Sequence, residues 1–165
     1  MASVAEHLVH QLEGAGVRHI YGIVGDSLNP VVDAVRRSKK IRWIHVRHEE
    51  TAAFAAAAEA EITGQLAVCA GSCGPGNLHL INGLYDANRS HLPVLAIASH
   101  IPTSQIGTGF FQETHPDRIF DECSVFSEMI SSSEQVPRVT RSTIQQALSN
   151  HGVARSEERR VGKEC

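Results

Sequence analysis

Apolar runs with the composition of buried strands alternate with helix-forming segments along most of this chain. The strand-like runs are residues 19–24, 41–46, 66–70, 93–99 and 125–130. Between them, apolar residues recur at helical spacing, beginning with Val4, Leu8 and Leu12. This alternation predicts an α/β fold, a doubly wound and mostly parallel sheet flanked by helices on both faces.

The C-terminal residues depart from the alternation. Another buried strand is expected after residues 151–153, but residues 155–165 are charged and aperiodic. We expect such a run to be unable to occupy a central strand. The sequence therefore predicts one domain over residues 1–154 whose last strand is missing, followed by a tail at 155–165 that a truncation or frameshift has introduced. The alternative is a genuine solvated tail.

Composition narrows the class of protein. With 165 residues, 42% of them hydrophobic and 20% charged, the chain has the makeup of one soluble globular domain. A net charge of -3 provides no basic surface, so no nucleic acid partner is expected. The sequence has no membrane-length apolar run and no signal peptide, so we expect a cytoplasmic protein. Its four cysteines lack the spacing of a zinc site, so buried reduced thiols and no metal site are predicted.

The junction between the second strand and the next helix carries the first candidate catalytic residue, Glu49. It follows the strand at 41–46 and precedes the alanine-rich residues 51–58, the strongest helix composition in the chain. Open α/β sheets bind ligands at this end of their strands. A plain acidic residue in a first helical turn is the alternative. Because burial disfavours the charged form of a carboxyl, the small alanine side chains behind Glu49 favour a working acid.

Two more strand-to-helix turns are expected at the same edge of the sheet. One is Gly25-Asp26-Ser27, and the other is the glycine-rich turn at 71–77, which lets backbone approach a bound ring or phosphate. That turn lacks a Walker lysine and the Gly-x-Gly-x-x-Gly spacing, and alone it is more often a tight turn than a site. A long loop at 100–114 adds aromatic residues, and loops of this length are commonly functional.

Five blocks of the sequence resemble the N-terminal pyrimidine-binding domain of thiamine diphosphate-dependent enzymes. They are GIVGDSLN, RHEETAAFAAAAEA, LAVCAGSCGPGNLHLINGLYDA, LPVLAIASHIP and FFQETHP. The resemblance is strongest to the pyruvate oxidase branch, which includes pyruvate dehydrogenase (quinone), and acetolactate synthases are a step further away. It extends from residue 1 to residue 153 and stops where the charged tail begins.

The resemblance implies roles for individual residues. Glu49 would hydrogen-bond N1′ of the cofactor's aminopyrimidine and favour the tautomer whose 4′-nitrogen takes the thiazolium proton. Glu50 is expected to be structural. For His79, a helix histidine whose hydrogen bonds are only structural is the alternative. The implied cofactor-binding residues are Asp26, Glu49, Ser72, Gly74, Pro75, Asn77 and His79, and the implied substrate-side residues are Phe111 and Gln112.

The resemblance also implies a parent enzyme in which Mg²⁺ and FAD bind to domains absent from this chain. That homo-oligomer would oxidise pyruvate to acetate and CO2, or act on another 2-keto acid, and pass electrons to FAD and a quinone. Its active site would lie between subunits, and the alanine-rich helix is a candidate for packing against the partner, unless it packs on its own sheet. Membrane contact would be peripheral and made only through the missing C-terminus.

Two other functions stay open. The first is a carboligase of the acetolactate synthase type, although the residues around the glycine-rich turn favour the oxidase. The second is a non-catalytic orphan domain. We expect negligible turnover by this chain alone, because a domain without magnesium, diphosphate or flavin sites orients a pyrimidine but does not hold the whole cofactor tightly.

Overall fold

The computed structural model describes residues 3–130 and 132–158, and in them strands alternate with helices. The elements are α1 (Val4–Gly14), β1 (His19–Gly22), α2 (Asn29–Ser38), β2 (Arg42–His45), α3 (Glu49–Thr63), β3 (Ala67–Gly71), α4 (Pro75–Arg89), β4 (Val94–Ser99), α5 (Pro116–Ile119), β5 (Phe126–Ile130), α6 (Val136–Asn150) and β6 (Val153–Glu158). Single 3₁₀ turns lie at Asp26–Leu28, Thr103–Gln105 and Ser133–Gln135. Within the described residues, no helix has the length and apolar character needed to cross a membrane.

The six strands form one sheet in the order β2-β1-β3-β4-β6-β5, and every pairing in it is parallel. The prediction of a doubly wound α/β fold is confirmed. The chain passes from β1 outward to β2 and then returns to the other side of β1 to form β3. The order of the strands therefore reverses between β1 and β3, and ligands of open α/β sheets bind outside the carboxyl ends of strands at such a point.

The first and third helices are bounded by the residues that composition favours at helix ends. Ser3 caps α1, and its side chain and that of Glu6 each accept a hydrogen bond from the other's backbone N–H. Gly64 ends α3 at a φ of 66°, a left-handed conformation that glycine adopts without a steric penalty.

The helices cover the two faces of the sheet with side chains of different size. On one face, which we call the aliphatic layer, α1 and α2 bury mainly leucine and valine against the sheet, and α6 adds Ala147. On the other face, the alanine layer, α3 and α4 cover Ala67 and Cys69 of β3 and Ala96 and Ala98 of β4. Five alanines of α3 are buried in this layer: Ala52, Ala53, Ala56, Ala57 and Ala60. The alanine-rich helix therefore packs within its own chain.

Strand β6 corrects two predictions made for the C-terminal residues. Residues 155–158 lie in the sheet between β4 and β5, so the last strand is present and the charged run does occupy an interior position. A parallel strand pairs through backbone N–H and C=O groups, which a charged sequence supplies as well as an apolar one. That the run is foreign to the domain stays a prediction, and residues 159–165 lie outside the described part.

Arg155 shows how this strand accommodates a buried cation. The residue is fully buried, and its Nη1 donates a hydrogen bond of 3.0 Å to Oγ of Ser127 on β5. Its guanidinium carbon lies 5.5 Å from the centroid of the Phe120 ring. A guanidinium is weakly hydrated and stacks on aromatic rings, so it suits this position better than an ammonium would.

The cysteines of the described residues are free and buried, as predicted: Cys69, Cys73 and Cys123. Burial raises the pKa of the Cys69 thiol to about 12 and that of Cys123 to about 11. Both thiols are therefore protonated and unreactive at neutral pH. Cys165 lies outside the described residues.

Candidate active site

The three turns that were predicted to meet do lie at one edge of the sheet. β1 pairs with both β2 and β3, so residues that follow these three strands start from adjacent positions. Oγ of Ser27, after β1, lies 2.9 Å from Oγ of Ser72, after β3. A Cβ built on Gly76 of the glycine-rich turn would lie 3.0 Å from Oε1 of Glu49, which follows β2. The carboxyl and the glycine-rich turn therefore share one surface.

Glu49 is the first residue of α3 and is buried, with 7% of its surface exposed. Its Oε2 lies 3.0 Å from Nδ1 of His79 on α4, within hydrogen-bonding distance. Its Oε1 faces the Cα of Gly76, where any larger residue would crowd the oxygen. One carboxyl oxygen is thus held by a histidine, while the other lies against a backbone without a side chain.

Two histidines stack beside this carboxyl. The rings of His48 and His79 have centroids 4.3 Å apart and planes 25° apart. His48 is also the N-cap of α3, and its Nδ1 accepts a hydrogen bond of 3.3 Å from the backbone N–H of Glu50. His79 therefore makes its hydrogen bond across to α3, and its role in binding the cofactor stays a prediction.

The close approach of α3 and α4 brings these side chains together. A Cβ built on Gly83 of α4 would lie 2.6 Å from Cβ of Ala53 on α3, so glycine is required where the helices cross. Asn82, next to Gly83, donates from Nδ2 to Oε1 of Glu50. Glu50 thus connects the two helices on the exposed side of Glu49.

The glycine-rich turn brings together the other residues predicted from sequence. Gly74 has a φ of 73°, and a Cβ there would lie 3.1 Å from Gln112. Pro75 begins α4 and is exposed. Asn77 is fully buried, and its Nδ2 donates a hydrogen bond of 2.7 Å to the carbonyl of Ser99 at the end of β4. Within the described part of the chain, its Oδ1 is buried and has no hydrogen-bond partner.

The two residues predicted on the substrate side differ in position. Gln112 packs on the glycine-rich turn, and its Nε2 donates a hydrogen bond of 3.3 Å to the carbonyl of Cys73. Phe111 is 83% exposed, and its ring lies 4.8 Å from that of Phe110, centroid to centroid. The structure therefore joins Gln112 to the turn and leaves the Phe111 ring open to solvent.

Asp26 is exposed and begins the 3₁₀ turn after β1. Its neighbour Ser27 makes the side-chain contact with Ser72. Sequence reasoning gave no role to Ser27, Ser99 or His48. Their positions at or shortly after the ends of strands β1, β4 and β2 were the available signal. The contacts themselves depend on the order of the strands and on how the helices cross.

Comparisons with known proteins identify the fold's family. The family described as "Thiamine pyrophosphate enzyme, N-terminal TPP binding domain" matches residues 2–120 of the chain. The chain belongs to this family. Thiamine pyrophosphate is the cofactor named thiamine diphosphate above.

Three similar proteins show how far the likeness extends. An "Uncharacterized 42.6 kDa protein in isoamylase 3'region" of Pseudomonas amyloderamosa is 62% identical over 92% of this chain and 38% of its own length. Pyruvate oxidase of Lactiplantibacillus plantarum is 40% identical over 89% of this chain and 24% of its own length. Acetolactate synthase isozyme 1 large subunit of Escherichia coli K12 is 37% identical over 82% of this chain, again 24% of its own length. The chain thus spans between about a quarter and two-fifths of these relatives.

The residues at this edge of the TPP-binding domain fit the aminopyrimidine of the cofactor. A buried carboxyl lies beside a glycine whose lack of a Cβ lets its backbone lie close to Oε1 of Glu49. The unpartnered Oδ1 of Asn77 is an additional buried acceptor close behind that glycine in sequence. No group of three histidine, cysteine or acidic side chains suited to a metal ion occurs in residues 3–130 and 132–158.

Proposed function

We propose that this chain is the aminopyrimidine-binding domain of a pyruvate-oxidising thiamine diphosphate enzyme, with Glu49 as its catalytic acid–base. The observation that carries the proposal is the position of the Glu49 carboxyl, buried between His79 and the bare Cα of Gly76. Membership of the TPP-binding family supports the cofactor. The pyruvate oxidase relative, at 40% identity, supports the reaction.

Glu49 and His79 would have separate roles in activating the cofactor. Bound thiamine diphosphate would supply an electron sink for decarboxylation of a 2-keto acid. Glu49 would hold a proton against N1′ of the pyrimidine and exchange it with that nitrogen. His79 would keep the carboxyl oriented through its contact with Oε2 and would link it to solvent, since 45% of the histidine side chain is exposed.

The remaining site residues would hold the ring and receive the substrate. The glycine-rich turn, with Ser72, Gly74, Pro75 and Asn77, would allow backbone to approach the pyrimidine. His79 and Asp26 would complete the cofactor's surroundings. Phe111 and Gln112 would face the substrate; Gln112 is already hydrogen-bonded to the turn, and Phe111 offers an exposed ring.

The activity of the complete protein is part of the proposal, because this chain spans only part of its relatives. In that protein Mg²⁺ and FAD would bind to other domains, and electrons from pyruvate would pass to FAD and a quinone. The active site would be completed by a second subunit of a homo-oligomer. Carboligation of the acetolactate synthase type is the second candidate, and the relative of that name, at 37% identity, supports it.

A binding experiment on the chain tests the role of Glu49. Thiamine diphosphate is titrated into ¹⁵N-labelled protein, and the expected result is shifts of the amides of residues 71–77. Glu49→Gln is expected to weaken binding about tenfold, the effect of losing one hydrogen bond from a carboxyl. The matched control is Glu50→Gln, at the adjacent residue, which contacts Asn82 and is expected to bind normally. Equal affinities for the two variants would remove Glu49 from the site.

Turnover by the complete protein separates the two candidate reactions. With pyruvate, the proposal predicts acetate as product, whereas carboligation would give acetolactate. Glu49→Gln is expected to lower the rate about 10²-fold or more in either case, because a glutamine amide cannot act as a general acid or base. Near-normal turnover of that variant would contradict the catalytic role.

A further inference from the structure

Three serine hydroxyls join the carboxyl ends of β1, β3 and β4. Oγ of Ser27 lies 2.9 Å from Oγ of Ser72 and 2.7 Å from Oγ of Ser99. It also accepts a hydrogen bond of 3.0 Å from the backbone N–H of Cys73. Oγ of Ser99 in turn lies 3.0 Å from the carbonyl of Gly71, to which it donates. Ser27 is thus the central hydroxyl of the cluster.

The acceptor to which each hydroxyl donates its proton follows from this geometry. A serine hydroxyl has one proton and two acceptor lone pairs. Because the proton of Ser99 goes to a carbonyl, which only accepts, Ser27 must donate to Ser99. With its own proton used, Ser27 accepts from Ser72 and from the Cys73 amide. The chain of hydrogen bonds therefore runs in one direction, from Ser72 through Ser27 and Ser99 to Gly71, and the capacity of Ser27 is filled.

The same cluster fixes the backbone that faces the catalytic carboxyl. A Cβ on Gly25 would lie 2.5 Å from Oγ of Ser72, and a Cβ on Gly76 would lie 3.3 Å from Cβ of Ser72 and 3.0 Å from Oε1 of Glu49. The side chain of Ser72 therefore lies between the turn after β1 and the glycine that borders Glu49. Ser27 holds this residue and the next one through two bonds.

We propose that Ser27 is a positioning residue, whose hydroxyl locks the glycine-rich turn in the place that lets Gly76 border the Glu49 carboxyl. It acts through Ser72 and the Cys73 amide and contacts no reacting group itself. Its effect on the cofactor rests on the function proposed above. Its effect on the turn is independent of that function, because the hydrogen bonds join only groups of the protein.

The test uses two pairs of side chains that differ mainly in the hydroxyl. Wild type and Ser27→Ala form one pair, and Ser27→Thr and Ser27→Val form a bulkier pair of nearly equal volume. Hydrogen exchange of the Cys73 amide is measured by NMR, with amides of β4 as the internal reference, and thiamine diphosphate affinity is measured on the same samples. Ser124→Ala is the control, since its Oγ donates to the carbonyl of Phe120, next to β5.

The proposal expects exchange at Cys73 to rise about tenfold or more in Ser27→Ala and Ser27→Val, because a buried donor loses its acceptor. Ser27→Thr and Ser124→Ala are expected to retain slow exchange, and affinity for thiamine diphosphate is expected to fall only in the two variants without the hydroxyl. Equal exchange at Cys73 with and without the hydroxyl would overturn the proposal. So would normal affinity in both hydroxyl-free variants.

The two proposals fail in different ways. If thiamine diphosphate causes no shifts at residues 71–77 of the wild-type protein, the proposed function fails. The exchange rate of the Cys73 amide still tests whether Ser27 fixes the turn. If Ser27→Val does not fold, Ser27→Ala still gives the comparison, since it adds no bulk to the site.

Discussion

The two helix layers of this domain bury their side chains in different ways. In the aliphatic layer, residues such as Leu8, Leu12 and Ile20 fill the space between helices and sheet. In the alanine layer, small residues on α3 and on strands β3 and β4 let the helices lie close to the sheet and to each other. In the aliphatic layer, large side chains fill the space between helices and sheet. In the alanine layer, that space is small because the backbones lie close together.

The candidate site residues Glu49 and His79 belong to helices of the layer with small residues. Glu49 begins α3 and His79 lies on α4, so their 3.0 Å contact depends on how closely these helices pack. Charged pairs of the aliphatic layer, such as Arg37 with Glu6 and Lys40 with Glu13, involve an exposed cation and connect helix surfaces. This comparison of the two layers shows that the Glu49–His79 contact depends on close packing of two helices more than on burial alone.

The largest effect is expected from removing volume in the aliphatic layer. Leu12→Ala should lower the free energy of unfolding by about 2–5 kcal/mol, because a fully buried leucine leaves a cavity that its neighbours fill only in part. Denaturant unfolding measures the change. Ile62→Ala is the control, since this residue is 84% exposed on α3 and should change stability by less than about 0.5 kcal/mol. Equal losses for the two variants would mean that this layer does not depend on side-chain volume.

An intermediate effect is expected from adding volume in the alanine layer. Gly83→Ala should destabilise by about 1–3 kcal/mol, because the new Cβ would lie 2.6 Å from that of Ala53. The clash should exceed the gain in helix propensity of about 1 kcal/mol. It should also alter the ¹H–¹⁵N spectrum of the His79 ring, since α4 moves away from α3.

Gly14→Ala is the matched control for that variant. A Cβ there meets nothing within 4 Å, so the same change in α1 should be neutral or stabilising. Adding Ala53→Gly to Gly83→Ala should restore part of the lost stability beyond the sum of the single changes. If the two changes are additive, the helices do not depend on that contact.

Residues that act locally were predicted well from sequence. Glu49 was recognised as a carboxyl at a strand-to-helix junction, and residues 51–58 as a helix, because such signals lie within a few neighbouring residues. The meeting of Glu49 with the glycine-rich turn followed from the general rule that parallel strands end at one edge.

Features that depend on distant residues were not predicted. The Ser27–Ser99 contact joins residues 72 apart in sequence and requires the order of β1, β3 and β4. The His48–His79 stack requires the crossing of α3 and α4. Strand β6 was predicted to be absent because its charged residues have no strand periodicity, whereas backbone pairing on both sides holds it in the sheet.

The smallest effect is a pH dependence that separates the alanine layer from the rest of the molecule. Burial raises the pKa of Cys69 from an ordinary 9.0 to about 12. Between these values the unfolded chain has lost the thiol proton and the folded chain retains it, so stability is complete below pH 9 and falls as pH rises toward 12. At pH 10 the loss from this thiol is about 1.4 kcal/mol, the free energy of one pKa unit.

Comparing wild type with Cys69→Ala isolates this thiol, because other groups that titrate in alkali are common to both proteins. Wild type should lose about 1.4 kcal/mol more than the variant between pH 7 and pH 10, measured by urea unfolding. Cys123→Ala gives a second measurement, since burial raises that pKa to about 11 and the same sign is expected. Parallel stability curves for wild type and Cys69→Ala would show that water reaches the sheet beneath α3, and the alanine layer would then be less tightly packed than its small residues imply.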